Sequence, residues 1–119
     1  MLLYHATFAA NLPGIKERGL GHPSKKLSWS FSNPDVTCFV NDIDAAESFC
    51  EEADNVSEEV YNSGIIVLAI DDSEIKTLFP DENIHIDDAY YEEDLTFFLC
   101  TKEIIPFEKL KIVREVYVC

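Results

Sequence analysis

The chain has 119 residues, of which 47 % are hydrophobic and 12 % aromatic, so it can fold around one hydrophobic core. We therefore expect a single globular domain over residues 1–119 and exclude an intrinsically disordered protein. Its 23 acidic and 9 basic residues give a net charge of −14, which repels phosphate backbones and disfavours direct nucleic-acid binding. No apolar run approaches the roughly 18 residues of a membrane span, so we expect no membrane association.

The first third of the sequence predicts a strand, a capped helix and a long loop. Residues 2–6 form a short, mainly apolar segment, as expected for a buried strand. Asn11 can cap a helix that ends at Gly19, where glycine supplies the left-handed stop. Residues 20–35 contain Gly21, two prolines and four serines, which predicts a loop. A second strand is predicted over residues 36–40.

The middle of the sequence predicts a helix followed by a buried strand. Asn41 or Asp42 caps a helix over residues 43–53, whose apolar side chains recur on one face. Residues 54–63 are predicted to be an acidic loop. Residues 65–70 are apolar throughout, which indicates a strand buried on both faces at the centre of a sheet.

The last third predicts mainly strands. Residues 71–73 end the buried strand and can cap a single helical turn that reaches Phe79. Strands are predicted over residues 95–100 and 110–118, with a turn at residues 104–106. Helices come early and strands late in the chain. The fold class is therefore expected to be α+β, a compact mixed or split β-sheet with short helices on the outside.

The four cysteines are widely spaced, and none forms a CxxC pair or a Cys/His cluster with the spacing of metal ligands. We expect reduced core cysteines in a cytoplasmic protein and no metal site. A catalytic cysteine paired with a histidine is the alternative. The cysteines are Cys38, Cys50, Cys100 and Cys119.

Three stretches of the chain resemble the ADP-ribosyltransferase superfamily. Residues 4–7, Tyr-His-Ala-Thr, form a strand end of the His-x-Thr type, and the helix after it closes on Gly-Leu at residues 19–20. Residues 36–42 are similar to the second strand of that superfamily. Residues 90–98 and 104–113 resemble its acidic residue before a late strand, its Ile-Pro turn and its final strand. In size and plan the chain is similar to small phage-encoded ADP-ribosyltransferases that modify host defence proteins.

The resemblance implies that the first strand binds NAD. His5 matches the histidine that holds the adenosine-side ribose, and a neutral imidazole can donate or accept one hydrogen bond to a ribose hydroxyl. Ala6 and Thr7 complete the motif, and Thr7 is expected to bond a backbone group or the ligand. The alternative for His5 is a histidine that satisfies neighbouring backbone groups.

The resemblance also implies an aromatic residue that stacks on nicotinamide. Phe39 matches a position where the family often has tyrosine, but Cys38 fits the same spacing. A core position for Phe39 is the alternative. Trp29 and Phe31 lie in the serine-rich loop and are further candidates, because an aromatic side chain on a polar loop has fewer structural reasons to be there.

The family's late glutamate stabilises the oxocarbenium-like transition state as nicotinamide leaves, which requires a carboxylate ionised at pH 7. Glu93 is the first candidate for this residue, Glu92 the second and Asp94 the third. The same cluster is also consistent with a solvated acidic loop.

The sequence thus predicts an enzyme that transfers ADP-ribose from NAD to a macromolecular acceptor, a protein with a basic surface, and inactivates it. Two alternatives remain open. One is a non-enzymatic acidic inhibitor that mimics nucleic acid on a basic protein surface. The other is a degenerate nucleotide-binding member of the fold. The sequence contains no GxGxxG motif and no P-loop, which excludes a Rossmann or NTPase site.

Overall fold

In the part of the chain that the structure describes, a six-stranded sheet forms the centre of the fold, and every strand pairing in it is antiparallel. The computed structural model describes residues 1–21, 37–52, 56–80 and 98–116. The strand order is β4-β5-β2-β1-β3-β6. The strands are β1 (Leu2–Phe8), β2 (Thr37–Val40), β3 (Ile65–Asp71), β4 (Phe79–Pro80), β5 (Phe98–Thr101) and β6 (Lys111–Val116).

The sheet is paired unevenly. Strand β1 pairs with β3 over seven residue pairs, from Leu2 opposite Asp71 to Phe8 opposite Ile65. In contrast, β1 pairs with β2 at one pair, Tyr4 opposite Val40. Strand β2 pairs with β5 along its whole length. The position of β2 therefore depends mainly on β5 and only locally on β1.

The described α-helices are short, and two of them begin at a residue whose side chain caps the helix. Asp42 accepts a hydrogen bond from the Ala45 N–H at 2.9 Å, and Ser57 accepts one from the Val60 N–H at 3.2 Å. Single turns of 3-10 helix cover Ala9–Asn11, Asp72–Glu74 and Phe107–Lys109. The α-helices are α1 (Leu12–Arg18), α2 (Ile43–Glu51) and α3 (Glu58–Tyr61).

The two faces of the sheet are covered by different elements. On one side, which we call the α1 face, the core contains Leu3, Phe39 and Leu68 of the sheet with Ile15 of α1. The opposite side, the α2 face, packs its apolar residues against α2. Those residues include Val40, Val67 and Phe98 around Ala46, and Phe8 and Ile65 around Cys50. Neighbouring residues of a strand point to opposite faces, so the register fixes which side chains can meet.

The structure confirms an α+β domain with few, short helices. The prediction of a mixed or split sheet is wrong for the described residues, because all six strands belong to one antiparallel sheet. Strands β2 and β3 do run parallel to each other, but β1 lies between them, so α2 joins strands that are not neighbours. Helix α3 lies within residues 54–63, which were predicted as a loop. Among the described residues, no helix is long and apolar enough to cross a membrane.

Candidate ligand site on the first two strands

The central feature of the candidate site is the fixed orientation of the His5 ring. His5 is a residue of β1 that lies opposite Leu68 of β3, and it is half-buried on the α1 face. Its Nδ1 lies 2.7 Å from the carbonyl oxygen of Cys38 on β2. A carbonyl oxygen only accepts hydrogen bonds, so Nδ1 carries a proton. In the neutral ring Nε2 is then the acceptor nitrogen.

This hydrogen bond joins two strands whose own pairing is short. The backbones of β1 and β2 pair at Tyr4 and Val40, and the next residue, His5, uses its side chain to reach β2. A side chain thus extends the link between the strands where the ladder ends. The Cys38 carbonyl consequently holds one edge of the His5 ring and places a proton on Nδ1.

Phe39 lies beside His5, but it is a core residue. Continuing the antiparallel register from Tyr4 and Val40 places Phe39 level with His5, and their ring centroids are 5.7 Å apart. Phe39 is 1 % exposed and packs with Leu3 and Leu68. Its ring therefore supports His5 and does not present an open face on which nicotinamide could stack.

Cys38 is not available for that role either. It alternates with Phe39 along β2, so its side chain lies on the α2 face, away from His5. Cys38 lies directly opposite Cys100 on β5, and the two form a disulfide bond. The prediction of reduced core cysteines is thus wrong for this pair. Cys50 is a buried free thiol.

The remaining residues of the His-x-Thr motif have separate positions. Thr7 is buried on the α1 face, and its Oγ1 accepts a hydrogen bond from Asn11 Nδ2 at 3.1 Å. Asn11 precedes α1 as predicted, but its side chain makes no capping bond, because it turns back to Thr7. Ala6 lies opposite Val67 and packs on the α2 face, so its methyl group does not share a surface with His5.

The other predicted site residues lie outside the described residues, namely Trp29, Phe31, Glu92, Glu93 and Asp94. The described residues on either side of segment 22–36 lie next to each other. A Cβ on Gly21 would stand 2.6 Å from Thr37 Oγ1, and Gly21 has a φ of +92°, which favours glycine. Gly21 therefore lies beside Thr37, the first residue of β2.

A polar cluster that the sequence did not predict lies beside the α1 face at the end of β5. One carboxylate oxygen of Glu103 accepts hydrogen bonds from the Thr77 N–H at 2.6 Å and the Thr77 hydroxyl at 2.8 Å. The Thr101 hydroxyl also donates to it, at 3.4 Å. The hydrogen bond from the Thr77 N–H lowers the pKa of the Glu103 carboxyl most, and the bond from the Thr77 hydroxyl lowers it further. The cluster fastens the segment before β4 to the end of β5.

Acidic side chains cover the outer surface of α2. Arg114 on β6 donates to Asp44 at 2.8 Å and to Glu47 at 3.2 Å, which offsets part of their charge. Glu51 and Glu52 at the end of the helix are exposed. This surface lies on the α2 side of the sheet, opposite to His5.

Comparison of the chain with protein-family models, with characterised proteins and with solved structures finds no match. The resemblance to ADP-ribosyltransferases is therefore one of sequence motifs alone.

Proposed function

We propose that this protein is a cytoplasmic ADP-ribosyltransferase with an ADP-ribosyltransferase-like fold. It binds NAD on the α1 face at His5 and transfers ADP-ribose to a protein acceptor with a basic surface. The observation that carries the proposal is the hydrogen bond from His5 Nδ1 to the Cys38 carbonyl, at 2.7 Å. It orients the histidine of the His-x-Thr motif.

A histidine held in this way suits a ribose hydroxyl. In neutral His5, Nε2 accepts a hydrogen bond, and a ribose hydroxyl donates one. Because the ring is already oriented by Cys38, binding loses less conformational entropy than it would with a freely rotating side chain. Phe39 packs beside the ring, with the two ring centroids 5.7 Å apart.

The resemblance assigns the reaction itself to residues outside the described ranges. The bond between nicotinamide and the ribose C1′ breaks, and nicotinamide leaves with the bonding electrons. A nucleophile of the acceptor protein bonds C1′ and loses its proton. Glu93, or Glu92 next to it, is the carboxylate that stabilises the positive charge on the ribose. Trp29 and Phe31 are now the preferred stacking residues, since Phe39 is buried and Cys38 is disulfide-bonded.

One observation favours a second candidate, the acidic inhibitor that binds a basic protein without catalysis. The net charge is −14, and exposed acidic side chains line the end of α2. Such binding would be stoichiometric and strongly salt-dependent, because exposed charges are screened over about 8–10 Å at 0.1–0.15 M salt. A nucleotide-binding protein without transferase activity is a third candidate, which would bind NAD and label nothing.

Calorimetric titration with NAD tests the binding step. We expect wild-type protein to bind NAD and His5→Ala to bind roughly tenfold more weakly, because one oriented hydrogen bond is lost. The Glu93→Gln variant should keep wild-type affinity, since its charge acts mainly in the transition state. Glu108→Gln, an exposed change on the 3-10 turn before β6, is the surface control. No heat of binding for the wild type at millimolar NAD would contradict the proposal.

A further inference from the structure

The disulfide bond and the His5 hydrogen bond meet at the same residue. Cys38 bonds Cys100 through its side chain on the α2 face, while its carbonyl oxygen accepts from His5 between β1 and β2. We propose that the Cys38–Cys100 disulfide is a redox switch that sets the orientation of His5 and, through it, the affinity for NAD. The NAD part of this inference rests on the proposed function, whereas the effect on His5 does not.

Strand β2 is suited to transmit such a change. It has four residues, pairs with β1 at Tyr4 and Val40 within the described residues, and is held mainly by β5, to which the disulfide adds a covalent link. Phe39, which packs beside the His5 ring, follows Cys38 directly. A small shift of β2 therefore alters both the acceptor of the His5 proton and the ring next to it.

The exposure of the two cysteines determines how a reductant reaches the bond. Cys100 is 1 % exposed, whereas Cys38 is half-buried, so attack takes place at the Cys38 sulfur. The remaining described cysteine, Cys50, does not compete. Burial, together with the charges of Glu51 and Glu47, raises the pKa of its thiol to about 12, so it stays protonated at neutral pH.

The reaction we propose is thiol–disulfide exchange with a dithiol reductant. A thiolate of the reductant attacks the Cys38 sulfur, forms a mixed disulfide and releases Cys100 as a thiolate that takes up a proton. The second thiol of the reductant, as its thiolate, attacks the reductant's own sulfur and releases Cys38, which is protonated in turn. The protein disulfide gains two electrons and two protons, and the dithiol becomes a disulfide. In a cytoplasm that keeps thiols reduced, such a bond is typically regulatory or transient.

Nitrogen NMR of the histidine rings tests the effect on His5 without any ligand. The oxidised protein should show one His5 tautomer with the proton on Nδ1, and dithiothreitol should convert it to a mixture of tautomers. The His5→Gln variant assigns the resonance among the three histidines of the chain. Alkylation in denaturant gives the redox state: two of the four cysteines form the bond, so the labelled thiols should rise from two to four on reduction.

NAD titration of the two redox forms tests the consequence. Reduction should weaken NAD binding roughly fivefold to tenfold, as for loss of one oriented hydrogen bond. The Cys38→Val/Cys100→Ala variant should match the reduced wild type with or without dithiothreitol, and Cys50→Ala should match the wild type. Far-ultraviolet circular dichroism at 15 °C shows whether the reduced wild type is folded. If it is not, the affinities of the Cys38→Val/Cys100→Ala and Cys50→Ala variants are compared instead.

The outcomes separate this inference from the proposed function. Four labelled thiols in the oxidised protein, or identical His5 resonances in both redox forms, would overturn the switch. Equal NAD affinity of the two forms would overturn its effect on binding. If neither form binds NAD but the His5 resonances still change on reduction, the switch of His5 orientation stands and the proposed NAD function fails.

Discussion

Reduction of the Cys38–Cys100 disulfide should lower the melting temperature substantially. The bond closes a loop between residues separated by 62 positions. In the chain-entropy treatment, a cross-link over such a loop stabilises the folded state by about 4 kcal/mol, because it restricts the unfolded chain. The unfolding entropy is roughly 2.1 cal/mol/K per residue, so the free energy of unfolding of the whole chain changes by about 0.25 kcal/mol per degree near the melting temperature. The expected decrease in melting temperature is therefore roughly 16 °C.

The assay is thermal unfolding followed by circular dichroism, with and without dithiothreitol. The wild type should melt about 16 °C lower in reductant. The Cys38→Val/Cys100→Ala variant is the matched control, and its melting temperature should not respond to reductant. A wild-type melting temperature that is the same in both conditions would refute the assignment of a stabilising bond between β2 and β5.

Three further changes test the packing, the helix cap and the polar cluster. Leu68→Ala should cost about 2–5 kcal/mol in the free energy of unfolding, since Leu68 is fully buried, whereas the exposed Val113→Ala should cost under about 0.5 kcal/mol by urea titration. Asp42→Ala should cost about 1 kcal/mol by the same assay and Asp42→Asn much less, because only alanine removes the cap of α2. Glu103→Gln should lower the melting temperature at pH 7, and Glu108→Gln should not. The folded-state pKa of Glu103 is lowered, so its stabilisation is present above about pH 4.5 and is lost as pH falls through the folded pKa. The difference in melting temperature between the wild type and Glu103→Gln should therefore shrink as the pH falls through that range. A difference that grows there would contradict the role of the carboxylate.

The sequence predicts well those elements that depend on local patterns. The continuous apolar run at residues 65–70 forms a strand buried on both faces, and Asp42 caps α2 as its position suggests. Gly19 ends α1 with a positive φ, as expected for glycine after a helix. In each case the deciding interaction lies within a few residues, so it can be recognised from the sequence.

The features that were missed depend on pairings that are distant in the chain. Cys38 and Cys100 appeared to be separate core residues, because only the register of β2 against β5 places them opposite each other. Glu103 accepts a hydrogen bond from Thr77, 26 residues away, and no local sequence pattern predicts this contact. The motif supplied His5 but not the Cys38 carbonyl that orients it. Long-range strand pairing, which composition and periodicity do not specify, determines these contacts.

The proposed transfer reaction is tested most directly with biotin-labelled NAD and a cell lysate. Substoichiometric amounts of the protein are added, and labelled proteins are detected on a denaturing gel. The account predicts a labelled acceptor band with the wild type and none with Glu93→Gln, although that variant still binds NAD. A band that is lost with Glu92→Gln and kept with Glu93→Gln would move the catalytic assignment by one residue. A wild-type protein that binds NAD and labels nothing, or a Glu92→Gln/Glu93→Gln variant that labels as well as the wild type, would contradict the account.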